Sequence, residues 1–168
     1  MTASAHPKIA MRPFLPADAP LVAEIFRSSI AELAVDDYSD AQREAWATAA
    51  ADDAAFGSRL GSQLTLLATI GGSPVGFASL KGSEEIDMLY VHPAVAGQGV
   101  GTMLVDALEK LAAARGTPRL MADVSDSAQE FFRRRGFVAQ RRNSVRCGGE
   151  WLANTTMEKK FPAKENTR

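Results

Sequence analysis

Cysteine is almost missing from this chain. Cys147 is the single one in 168 residues, so no internal disulfide can staple the fold, and it has no metal-ligating neighbours. That pattern suits a reducing compartment, and no metal is expected. No charge of one sign dominates either: 19 Lys and Arg face 20 Asp and Glu, a formal net charge of −1, which argues against a dedicated nucleic-acid binder. Long apolar runs are absent, so no segment reads as a membrane span. The opening Met1 to Lys8 has no apolar core of a secretory signal. Repeats, low-complexity tracts and linkers are missing too. The expectation is a cytoplasmic protein with neither nucleic acid nor membrane as partner.

What is present suits one domain. The length and the 46% apolar content are enough for a real core. The single domain spans 1–168, with its core at about 8–161 and a polar tail from Pro162 to Arg168. Ile9 to Phe14 reads as a short strand stopped by Pro13 and Pro16. Asp18 is positioned to cap a helix whose apolar face holds Leu21, Val22, Ile25, Phe26, Ser29, Ile30 and Leu33. Asp36-Asp37-Tyr38 interrupts it, and Ser39 with Gln42 forms a capping box for a second helix carrying Trp46. Asp52 to Leu60 is a third, shorter helix.

The period then changes to that of strands. Gln63 to Ile70 and Val75 to Lys81 form a hairpin around Gly71-Gly72-Ser73-Pro74, and Glu85 to Val91 is a third run. Gly99 to Arg115 is an amphipathic helix, Arg119 to Val124 a strand, and Ser127 with Glu130 a second capping box for a short helix ending at Gly136. Phe137 to Val145 and Trp151 to Lys159 close the chain as strands. The order predicts a mixed α/β (α+β) domain: a mostly antiparallel sheet of about seven strands, with one right-handed crossover making Glu85–Val91 and Arg119–Val124 parallel.

The most informative stretch is Val91-His-Pro-Ala-Val-Ala96-Gly-Gln-Gly99-Val-Gly101-Thr102. A strand runs into a glycine-studded loop and then a helix, whose first N–H groups point outward with partial positive charge. Glycine at 97, 99 and 101 permits positive φ and close approach by a ligand. The arrangement suits a pyrophosphate. It lacks the G-x-G-x-x-G spacing of dinucleotide folds and the Gly-Lys-Ser/Thr of a P-loop.

This segment resembles the Gln/Arg-x-x-Gly-x-Gly/Ala signature of the GNAT N-acetyltransferase superfamily, with Ala96 where Gln or Arg is usual. Phe131-Phe132-Arg-Arg-Arg-Gly136-Phe137 resembles the family's aromatic-aromatic-x-x-x-Gly-Phe segment. The resemblance implies the GNAT fold with helices on both sheet faces, and acetyl-CoA as acyl donor. It also implies backbone pairing of the pantetheine arm at Leu89 and Val91. A pyrophosphate would then lie on Gln98, Gly99, Val100, Gly101 and Thr102, with Gly97 and Phe132 also at the cofactor. A small-molecule amine or a protein amino group is the implied acceptor, and a homodimer is compatible with the family.

Acetyl transfer to an amine needs a base, because an alkyl ammonium has a pKa near about 10.4. In a regular strand Glu85, Asp87, Leu89 and Val91 share one face. Glu85 matches the position where many family members carry a glutamate base, and Asp87 sits one pleat nearer the cofactor. Tyr38, after Asp36 and Asp37, falls in the segment that shapes the family's acceptor site, and an acidic, aromatic mouth suits a cationic amine. Phe132 stands where many relatives place a tyrosine acid, so Tyr38, Ser125, Ser127 or water is left to protonate the thiolate. His92 reads as a loop hydrogen-bonding residue. Arg133–Arg135 and Arg141–Arg142 read as solvated faces, with one arginine available to a CoA 3′-phosphate.

Overall fold

The computed structural model describes residues 8–162; His6 and the polar tail beyond Pro162 lie outside them. The elements run β1 (Ile9–Pro13), α1 (Ala19–Leu33), α2 (Asp40–Ala47), α3 (Asp53–Gly61), β2 (Leu64–Ile70), β3 (Ser73–Lys81), β4 (Glu85–Val91), α4 (Val100–Ala114), β5 (Arg119–Ser125), α5 (Gln129–Arg134), β6 (Val138–Cys147) and β7 (Glu150–Lys160). Seven strands form one sheet in the order β1-β2-β3-β4-β5-β7-β6. Every neighbouring pair is antiparallel except β4 and β5, which α4 joins as a crossover.

The sheet is covered on both faces. Val100, Leu104, Val105, Leu108 and Ala112 of α4 pack with Phe132 and Phe137 on Ala78, Leu80, Ile86, Leu120 and Met157. On the opposite face Val22, Ile25, Phe26 and Ile30 of α1 join Phe56 and Leu60 of α3 against Leu67, Phe77 and Met88. Of the α1 residues assigned to the apolar face by spacing, Leu21 and Leu33 are exposed. The covered stripe is thus narrower than the sequence indicates.

Local chemistry sets the helix starts. The Ser39–Gln42 capping box forms: the Gln42 N–H donates to Ser39 Oγ at 3.1 Å, and the Ser39 N–H donates to Gln42 Oε1 at 2.9 Å. Asp52 caps α3 by accepting from the Ala54 and Ala55 N–H groups at 2.9 and 3.1 Å. Two other caps differ from expectation. The Asp18 carboxylate turns back to accept the Leu15 N–H at 2.8 Å and to pair with Arg12, so it steadies the turn before α1 instead of capping it. Ser127 and Glu130 form no capping box: α5 starts at Gln129 with Ala128 as its N-cap, Ser127 Oγ donates to Asp37 at 2.8 Å, and Glu130 pairs with Arg133 and Arg134.

A register shift lies at the centre of the sheet. Ser79 pairs with Met88 and Leu80 with Ile86, which leaves Asp87 without a partner on β3. One extra residue reverses the alternation. Ile86, Leu89 and Val91 therefore pack toward α4, while Met88 and Tyr90 face α1 and α3. The expected common face of Glu85, Asp87, Leu89 and Val91 does not exist, because β4 is bulged.

Tyr38 ties three remote segments together. Its ring is buried with Ala34 and Leu152. The Asp126 N–H donates to its hydroxyl oxygen at 2.9 Å, so the phenol proton goes to the Ala153 carbonyl at 2.6 Å. Removing the hydroxyl would strand two backbone groups. Tyr38→Phe is expected to cost about 1–3 kcal/mol. Urea unfolding of the two proteins checks this, with a lowered midpoint at unchanged slope as the expected result.

Candidate active site

β4 and β5 are paired only at Glu85–Met121 and Ile86–Ala122. Beyond those pairs the strands diverge, although β4 continues to pair with β3 as far as Val91. The β5-facing backbone groups of β4 past Ile86 thus border a gap. At its far end sits the glycine turn. Gly97 and Gly99 have φ of +78° and +87°, a region that favours glycine. The chain turns there without strain and presents the start of α4, where the first intrahelical bond runs from the Met103 N–H to the Gly99 carbonyl at 3.1 Å. The N–H groups of Val100, Gly101 and Thr102 precede that bond and are the free donors of the helix start. The Gln98 N–H is turned inward and donates to the Val95 carbonyl at 3.2 Å. A Cβ built on Gly101 would lie 3.4 Å from the Phe131 ring, so α5 closes tightly over the turn.

Three cavities follow the gap. A turn-side cavity of about 360 Å³ is lined by Val91, Gly97, Gly101 and Phe131 among others. It shares Trp46, Leu89, Tyr90, Ser125 and Ala128 with a central cavity of about 220 Å³, whose walls also include Tyr38, Asp87 and Phe132. The central cavity in turn shares Ala122 and Asp123 with a polar groove of about 490 Å³ lined by Lys81, Glu84, Glu85, Arg141 and Thr156. The three adjoin in series along the gap, with the glycine turn at one end and charged side chains at the other.

The candidates from sequence fall at separate stations along this series. Asp87 is in the central cavity but fully engaged: Arg59 donates two hydrogen bonds to it at 3.1 and 3.0 Å, and Gln63 a third at 2.9 Å. Burial pushes its pKa up, but those bonds and the Arg59 charge outweigh burial and hold it below the ordinary Asp value. Glu85 is exposed in the polar groove. Tyr38 lines the central cavity with its hydroxyl committed to the backbone, and burial pushes its pKa up. Phe132 is buried against Phe131 and Phe137. Ser125 lines both the turn-side and central cavities; its Oγ accepts the Ala128 N–H at 3.2 Å, which leaves its proton available to a ligand.

Other residues stand apart from the series. Asp36 and Asp37 line none of the three cavities. His92 Nδ1 accepts the Ala94 N–H at 3.0 Å, a local turn bond. Arg135 pairs with Asp106, and Arg142 with Asp126. Sequence reading did not find Arg59 or Gln63, whose contact with Asp87 depends on the bulge. It also passed over Asp123 and Asn154, although plain alternation along β5 and β7 puts both on the face opposite α4.

An acetyltransferase (GNAT) domain model matches residues 34–161. YafP of Escherichia coli K12, an uncharacterised N-acetyltransferase, is 32% identical over 152 residues, covering 90% of this chain and 96% of the relative. The crystal structure of a GCN5-related N-acetyltransferase from Rhodopseudomonas palustris superposes with a TM-score of 0.89 at 58% identity, over 96% of this chain and 99% of that one. PaiA N-acetyltransferase from Thermoplasma acidophilum, solved with coenzyme A, shares the fold at 20% identity (TM-score 0.75, 92% and 99% of the chains). The chain therefore belongs to the GNAT acetyltransferase family, enzymes that move an acetyl group from acetyl-CoA. Among the described residues no helix is long and apolar enough to cross a membrane.

The Asp87 contacts yield a pH prediction. A carboxylate with a lowered native pKa adds stability that is fully present above its unfolded value, about 3.9. That contribution is lost as pH falls through the native value. Carbon-detected NMR titration should place Asp87 below ordinary aspartates, and Arg59→Met should move it upward. An Asp87 titration unaffected by Arg59→Met would remove the guanidinium as the cause.

Proposed function

We propose that this protein transfers the acetyl group of acetyl-CoA to a primary amine by direct attack in a ternary complex. The observation that carries the reading is the series of adjoining cavities along the β4–β5 gap, with the glycine turn and helix start at one end and carboxylates at the other. The residues present suit CoA. The pyrophosphate is assigned to the N–H groups of Val100, Gly101 and Thr102, with Gly97 and Gly99 shaping the turn. Gln98 adds its N–H only by leaving Val95. The pantetheine arm is assigned to the β5-facing edge of β4 at Leu89 and Val91, as an added strand. Phe132 forms an apolar wall beside the thioester.

The amine nitrogen attacks the thioester carbonyl carbon; an N–C bond forms and the C–S bond breaks. An ammonium must lose one proton before attack and the attacking nitrogen a second after it. One goes to the departing thiolate and one to solvent. Glu85, exposed in the polar groove, is the proposed proton acceptor, directly or through water. Asp87, saturated by Arg59 and Gln63, serves as a fixed negative charge facing the reaction centre. Ser125, which lines both the turn-side and central cavities and whose Oγ only accepts, has a proton to give and is the proposed donor to the sulfur.

Thiol release from acetyl-CoA with a panel of amines tests the reaction; no release with any of them would refute it. Glu85→Gln is expected to lower kcat/KM on the order of 10²-fold near neutral pH, with partial recovery as rising pH supplies free amine. Wild-type rates across the pH range would remove Glu85 as the base. Gly101→Glu brings a negative charge to the turn. Calorimetry of the folded variant should show CoA affinity at least about tenfold weaker, a cost of roughly 1.4 kcal/mol. Unchanged affinity would move the pyrophosphate elsewhere.

A further inference from the structure

The face of β5, β7 and β6 turned away from α4 carries a hydrogen-bonded row with one direction. Arg141 Nε donates to Asn143 Oδ1 at 2.9 Å. That contact fixes which end of the Asn143 amide is oxygen, because a guanidinium has no acceptor. The Asn143 amide nitrogen then donates to Thr156 Oγ1 at 2.8 Å and to Asn154 Oδ1 at 2.9 Å. Thr156 Oγ1, already accepting, sends its own proton to Asp123 Oδ1 at 2.6 Å. Arg141, Thr156 and Asp123 are aligned across the three strands by backbone register, so the row is built into the sheet. It ends on a carboxylate that is oriented, accepting at one oxygen, and carries at Oδ2 no hydrogen bond from any described residue.

Position separates this carboxylate from the other three; Glu84 lines only the groove and pairs with Arg119. Asp87 lines the central cavity but not the groove, and three donors already occupy it. Glu85 lines the groove but not the central cavity. Asp123 lines both, where the two adjoin. We infer that Asp123 is the acceptor-binding residue: its Oδ2 takes an N–H of the incoming alkylammonium and holds the nitrogen at the threshold of the central cavity, selecting cationic alkylamines over arylamines and alcohols. The inference rests on the amine-acetylation reading and names its acceptor class.

A charge-assisted bond is stronger than a neutral one and rewards an acceptor that arrives charged. An arylamine is neutral near pH 7 and gains little from it; an alcohol is neutral too. The bond from Thr156 to Oδ1 favours one orientation of this exposed carboxylate, so the nitrogen is presented from a preferred direction. Thr156 and Asn143 act through Asp123 and are positioning residues.

The test measures CoA thiol release by the full-length protein with cadaverine, spermidine, a lysine-containing peptide, aniline and an alkyl alcohol. Wild type is expected to prefer the alkylamines. Asp123→Asn keeps the bond from Thr156 and removes the charge. It should raise KM for the best alkylamine about tenfold or more, a loss of roughly 1.4 kcal/mol. KM for acetyl-CoA and calorimetric CoA affinity should stay unchanged, and the alkylamine-to-aniline preference should collapse. Asp123→Glu should restore part of that preference, and Thr156→Val should lower it by a smaller factor. A wild-type amine KM and preference in Asp123→Asn would overturn the inference and leave amine acetylation standing. So would a wild-type enzyme that acetylates only aniline. No thiol release by wild type with any amine would overturn both.

Discussion

The site depends on an incomplete pairing in the middle of a sheet. Buried backbone N–H and C=O groups need partners, and β4 finds them along its β3 side but only at Glu85 and Ile86 on its β5 side. From there the sheet is split between β4 and β5, while β7 and β6 continue it beyond β5. An internal strand edge, shielded from solvent by helices on both faces, is an uncommon surface. It offers a row of backbone groups to an extended ligand without offering them to another protein's strand.

The bulge at Asp87 acts on the same gap. A regular β4 would have aimed Asp87 toward α4, into a cluster of Leu, Val and Phe side chains where a carboxylate has no partner. The extra residue turns it toward α3 instead, where Arg59 and Gln63 meet it. The same shift lets Ile86 share the α4 side with Leu89 and Val91. One inserted position thus settles both an electrostatic and a packing conflict.

Much of this was legible in the amino-acid order, for physical reasons that differ by element. The strands of the hairpins and the crossover are set by period and by glycine, and they lie within a few residues of expectation. The glycine turn is local chemistry: it precedes an amphipathic helix, and Gly97 and Gly99 take the positive φ that glycine allows. The Ser39–Gln42 cap is local as well. What stayed hidden depends on partners remote in the chain. The register of β3 against β4 decides the bulge, so the faces of Glu85 and Asp87 could not be read from β4 alone. Ser127 is drawn from its capping role by Asp37, and Asp18 by Arg12. Asp123 gains its place only because β5, β7 and β6 align it with Thr156 and Arg141. Spacing reveals local bonds; it is silent about which distant side chain competes for the same group.

The Tyr38 tie has a bearing on how the molecule is made. Its hydroxyl joins a residue near the start of the chain to Asp126, 88 positions on, and to Ala153, 115 positions on. A nascent chain leaving the ribosome holds α1 to α3 and the hairpin β2–β3 long before either partner has been synthesised. Contacts of such separation carry a large loop-closure cost and form late. The wall of the central cavity is therefore among the last parts a growing polypeptide can complete. Until β7 arrives, the Tyr38 ring lacks Leu152 and its hydroxyl lacks the Ala153 carbonyl. An aromatic side chain left waiting in this way is transient apolar surface of the kind that makes incomplete chains prone to aggregate.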